Sequence, residues 1–160
     1  MVIVIRKVKY MKIRTDYVTN SSSSSFILGF KNKEDIAKVA DNLPSYWSNE
    51  AKSEVVSDIE NGITTREKAI EEFQESIYEY DWRFNGKDYW DLTREERDSE
   101  EYKKFIQDKK DKLSEEFIQE LDDNDIISIV NYEDHTDFGS KLEHDIMPYL
   151  ENTIRRMSYH

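Results

Sequence analysis

Two continuous apolar runs of strand length, Phe26-Ile27-Leu28-Gly29-Phe30 and Ile126-Ile127-Ser128-Ile129-Val130, stand near opposite ends of the chain. They bracket a long stretch whose apolar residues recur at helical spacing. The backbone groups of a strand need partners, so the run at 126–130 is expected to join strands from the N-terminal part. Residues 2–14 read as an extended strand, with Val8-Lys9-Tyr10 alternating in polarity. The adjacent bulky pair Tyr10-Met11 suggests a bulge or bend there. A hairpin joining 2–14 to 26–30 is the economical reading.

The stretch between carries helix signals. Asn32 before Lys33-Glu34-Asp35 suits a helix start, and Ile36, Val39 and Ala40 give a short apolar face ending near Asn42. Ser45 is a candidate cap for the next helix, whose stripe is Trp47, Ala51, Val55 and Ile59, and Asn61-Gly62 stops it. Thr64-Thr65-Arg66-Glu67 has capping-box form and opens a third helix with Ile70, Phe73 and Ile77 on its face. Tyr78, Tyr80, Trp82 and Phe84 then fall at alternate positions. Asn85-Gly86 offers a type I′ turn, which places Trp82 opposite Tyr89 and Arg83 opposite Asp88. The competing reading extends the helix to about Tyr80 with loop beyond it.

Thr93-Arg94-Glu95-Glu96 is another capping box, opening a charged segment that runs to about Leu121 with a stripe of Tyr102, Ile106, Leu113, Phe117 and Leu121. Ser114-Glu115-Glu116 is a candidate break. After the strand at 126–130, Phe138, Leu142, Ile146, Leu150, Ile154 and Met157 suggest a final helix, kinked or started at Pro148. The order is β-β-α-α-α-(hairpin)-α-β-α. We expect one α+β domain over 1–160, a small, mostly antiparallel sheet packed by several helices.

Composition narrows the function. The 160 residues hold 35 Asp and Glu against 23 Lys and Arg, a net charge of −12, with no cysteine. Disulfides, thiolate metal sites and cysteine nucleophiles are therefore out. The aromatic residues argue against global disorder. The leading apolar run, Val2 to Ile5, is too short for a membrane span and precedes its basic residues, unlike a secretory signal. A cytoplasmic location is expected. Residues 1–14 carry +5, so the rest carries −17. Such a body repels nucleic-acid phosphates and steers toward basic protein surfaces; acid that merely confers solubility is the plainer reading.

The most distinctive stretch is Arg14-Thr15-Asp16-Tyr17-Val18-Thr19-Asn20, then Ser21, Ser22, Ser23, Ser24 and Ser25, then Phe26-Ile27. From Met11 to Ile27 it resembles the opening of a loosely defined group of uncharacterised proteins of bacteria and their phages. Those begin Met-Lys-Ile-Arg-Thr, an aromatic, Val, Ser or Thr, Asn, five serines and Phe. The resemblance implies a phage or mobile-element setting, no particular activity, and residues 1–10 as an extension from an upstream start. Physically, serine hydroxyls compete for backbone groups. The run reads as a flexible hairpin tip or linker, as an anion-binding loop of hydroxyls beside Arg14, or as a site of phosphorylation or partner recognition. It lacks the glycines of a phosphate-cradling loop.

Two functional readings follow. The first is a non-enzymatic interaction protein without a cofactor, an inhibitor or nucleic-acid mimic that occupies a basic host-protein surface. Its acidic face would be Glu95, Glu96, Glu100, Glu101, Glu115, Glu116, Glu120, Asp122 and Asp123. The alternative is a small metal-dependent enzyme using Glu133, His135, Asp137 and His144, although His135 and His144 lack a recognised ligand spacing. A third reading is homodimerisation through the N-terminal strand edge. The aromatic segment 78–90 reads as core packing or a protein-binding patch, its acids making nucleic acid unwelcome.

Overall fold

A computed structural model describes residues 23–159. The element order is β1 (Ser23–Phe30), α1 (Lys33–Ala37), α2 (Asn49–Asn61), β2 (Ile63–Thr64), α3 (Arg66–Ser76), α4 (Arg94–Asp98), α5 (Glu100–Asp122), β3 (Ile126–Glu133), α6 (Asp137–Lys141) and β4 (Thr153–Tyr159). The four strands form one sheet in the order β2-β3-β1-β4, and every pairing is antiparallel. The α+β architecture expected from the sequence is the one observed. The strand expected at 2–14 lies outside the described residues, and with it the edge expected to dimerise. β1 is paired along both of its own edges.

β1 is apolar at successive positions because helices cover both faces of the sheet. Phe26, Leu28 and Phe30 point to one side, where Ile36 of α1, Val55 and Ile59 of α2, and Leu142, Ile146 and Met147 close over them. Ile27 points to the other side and packs with Ala69 and Phe73 of α3, Phe117 and Leu121 of α5, Ile127 of β3 and Met157 of β4. Local signals set most helix ends. Asn32, Ser48, Thr65 and Thr93 each accept a backbone N–H at the start of their helix, and Thr93 with Glu96 completes the reciprocal capping box. Ser48, rather than Ser45, caps α2. Gly62 follows α2 for want of space: a Cβ there would lie 2.2 Å from the carbonyl oxygen of Ile129.

Three elements depart from expectation. The charged segment breaks at Ser99, which accepts from Tyr102 N–H and starts α5; Ser114 sits within a continuous 23-residue helix. Residues 153–159 form β4 instead of a helix, because the second edge of the buried strand β1 needs a hydrogen-bonding partner. Between α6 and β4 the chain runs through a π-helical turn, Leu142–Ile146, then a 3-10 turn at Met147–Tyr149 around Pro148. Finally, Ser23, Ser24 and Ser25 are strand residues of β1, not a loop tip.

The turn at Asn85-Gly86 is present, with φ of 51° and 77°. Phe84 and Lys87 exchange both backbone hydrogen bonds at 2.9 Å, and Arg83 pairs with Asp88 at 2.8 Å. This one-bridge hairpin packs Trp82, Phe84 and Tyr89 around Leu92, Tyr102 and Ile106, a third cluster on the N-terminal half of α5. The C-terminal half of α5 carries Phe117 and Leu121 onto the sheet. No helix among the described residues is long and apolar enough to cross a membrane.

One pH dependence follows from this packing. The buried Tyr132 hydroxyl donates to Asp58 Oδ2 at 3.1 Å, and burial, reinforced by the Asp58 charge, pushes the phenol far above its ordinary value. Above about pH 10 an unfolded tyrosine releases its proton while the folded one keeps it. Stability contributed by Tyr132 is therefore complete below pH 10 and falls above it, by up to about 1.4 kcal/mol per pH unit. Denaturant melts of wild type and Tyr132→Phe between neutral and alkaline pH should converge as pH rises. Parallel curves would contradict the assignment.

Candidate functional site

Buried side chains among the described residues include a single carboxylate, Glu143. All nine carboxylates of the expected acidic face reach the surface, on α4, α5 and the turn after it. They are not equally available. Glu96 pairs with Lys87 at 2.7 Å and accepts from Thr93 N–H, which together hold its carboxyl below the usual range. Glu100 pairs with Lys103, Asp122 with Arg66, and Glu120 grips Arg155 through two hydrogen bonds of 2.6 and 3.0 Å. Glu95, Glu101, Glu115 and Asp123 have no ion pair with any described residue. Lys103, Lys104, Lys109, Lys110 and Lys112 occupy the middle of α5. With Asp108 and Asp111 among them the middle carries a net +3, so net negative charge lies toward the two ends of the helix. At its C-terminal end Glu116, Gln119, Glu120 and Asp123 line a shallow depression.

Next to the N-terminal end lies a run of rings. Tyr78, Tyr80 and Trp90 are exposed, and Tyr89 joins them to the third hydrophobic cluster. Tyr80 contacts Tyr78 edge-on at 5.1 Å and Tyr89 at 4.4 Å, and lies roughly parallel to Trp90 at 6.1 Å. The guanidinium of Arg97 sits 4.4 Å above the Tyr89 ring.

The residues proposed as metal ligands are divided. Glu133 and His135 pair with each other at 3.0 Å on the surface, and Asp137 lies in the first turn of α6. His144 joins a different set: one ligand atom each from Asp134, Glu143 and His144 lie within 4.8 Å of one another. These three are the groups a divalent cation would use. Glu143 is already engaged in a hydrogen bond and an ion pair, however. Ser24 donates to Glu143 Oε1 at 2.8 Å, and Arg156 lies 3.5 Å from the same oxygen while donating to Ser24 at 3.1 Å. Glu143 stands, buried, in the π-helical turn. Arg156 in turn lies over the Phe26 ring.

This network also accounts for part of the serine run. Ser24 is buried on the same face of β1 as Phe26, against Glu143, and Ser25 on the opposite face accepts from Asn131 at 3.0 Å. Arg14, Asn20, Ser21 and Ser22 of the expected anion or partner loop lie outside the described residues. Sequence reasoning missed Glu143 and Arg156 as partners, since nothing local marks two charges that meet across the fold. Comparison with family models, with curated proteins and with solved structures finds no match for this chain.

Proposed function

We propose that this chain is a non-enzymatic interaction protein that binds a basic surface on a host protein through its acidic face, acting as a polyanion mimic or inhibitor. The observation that carries this reading is the display of carboxylates that have no ion pair with a described residue, Glu95 on α4 and Glu101, Glu115 and Asp123 toward the two ends of α5, with the Lys31 ammonium donating to the Asp123 carbonyl oxygen rather than to its carboxylate. They belong to a body that holds 34 acidic against 18 basic residues from position 23 onward. The motif over 11–27 is consistent with a phage or mobile-element origin, hence with a host protein as partner.

The reading predicts binding dominated by screened charge. Affinity of the full chain for a hexa-lysine peptide should fall steeply as salt rises, measured by fluorescence anisotropy of the labelled peptide. Affinity that does not change with salt would overturn it.

A further inference from the structure

The exposed ring cluster between α3 and α4 has no structural task that the molecule itself explains. The third hydrophobic cluster is filled by Trp82, Phe84 and Tyr89. Trp90 nevertheless stands 66% exposed and Tyr78 48% exposed. Large aromatic rings left in water beside charged groups are characteristic of binding surfaces rather than of free solvent faces.

From the charge around these rings we infer that they form a platform for arginine side chains of the partner protein, an inference that rests on the acidic-interaction reading and specifies its chemistry. The segment carries four carboxylates, Glu79, Asp81, Asp88 and Asp91. Glu79 is held by Lys110 and Asp88 by Arg83, but Asp81 and Asp91 have no ion pair with a described residue. Each of these two neighbours an exposed ring in sequence, Tyr80 and Trp90. A guanidinium satisfies both features at once: its flat face stacks on the ring, and its N–H fork pairs with a carboxylate. An ammonium offers only the charge. The molecule already contains this contact in miniature. The Arg97 guanidinium lies over Tyr89, and its buried Nε has no hydrogen-bond partner among the described residues. Arg97 occupies Tyr89 and leaves Trp90 and Tyr78 exposed to a second guanidinium.

The test compares hexa-arginine with hexa-lysine, equal in charge, binding to the full chain. Stacking should favour the arginine peptide by about two- to fivefold for each guanidinium placed on a ring. Trp90→Ala should bring the ratio of the two affinities toward one, and Trp90→Phe should give an intermediate ratio, with unchanged unfolding midpoints. Asp81→Asn with Asp91→Asn should weaken the arginine peptide further. Equal, salt-dependent affinity for both peptides would overturn the platform and leave the acidic reading standing. Failure of both peptides to bind would overturn the two together. An arginine preference that survives Trp90→Ala would place it elsewhere and overturn the assignment. So would concentration-dependent dimerisation abolished by that substitution, since the occupant would then be a second copy.

Discussion

Glu143→Ala is expected to destabilise the fold by about 3–5 kcal/mol, the cost of leaving the other half of a buried ion pair without its counter-charge. The side chain is fully buried, one of its oxygens accepts from Ser24, and the Arg156 guanidinium, itself mostly covered, lies 3.5 Å away. Alanine removes the anion, takes away the acceptor of the Ser24 hydroxyl proton and leaves the guanidinium against the Phe26 ring without the Glu143 carboxylate. Glu143→Gln keeps the shape and an acceptor for Ser24, so it should lose less. Glu101→Ala, an exposed position on α5, should stay within about 0.5 kcal/mol of wild type. Urea unfolding of the three variants at neutral pH separates these cases. A Glu143→Ala variant as stable as Glu101→Ala would show that the network does not tie the α6 segment to β1 and β4.

Phe117→Ala should cost a similar amount, about 3–5 kcal/mol, for a different reason. Phe117 is fully buried, stacks on Phe73 of α3 at 4.2 Å, and is roofed by the Arg155 guanidinium that Glu120 holds. It is the ring that seats α5 on the sheet. Its loss leaves a cavity bounded by β1, α3 and β4, elements whose positions are fixed by other contacts, so little collapse is available. The same urea measurement applies, and a loss below about 1 kcal/mol would mean the site repacks freely.

Both effects depend on contacts between residues far apart in sequence, and that is where legibility ended. Phe26 to Phe30, Ile126 to Val130, the Asn85-Gly86 turn and the Thr93 capping box were readable because their physics is local: side-chain volume, φ preference, a hydroxyl three residues before an amide. Ile154 and Met157 suit a helical stripe, and as strand residues they reach the same cluster only through the register shift opposite Ile27 and Leu28, which nothing local announces. Ser24 looked like loop because a serine run carries no apolar signal; its role requires Glu143, 119 residues away. The acidic face was legible as composition, whereas which carboxylates are spent on Lys87, Lys103, Arg66 and Arg155 depends on packing.

Position, not total charge, is therefore the crux of the account. Two variants with the same net charge can isolate it. One neutralises Glu95, Glu101, Glu115 and Asp123; the other neutralises Glu34, Glu50, Glu54 and Glu60 on α1 and α2, which are also exposed and have no ion pair with a described residue. With about 0.2–1 kcal/mol for each exposed contact, the first should lose about fourfold or more in affinity for hexa-lysine at low salt, and the second much less. Equal losses in the two variants would mean that the chain attracts cations only through its overall charge, and that no docking face exists on α4 and α5.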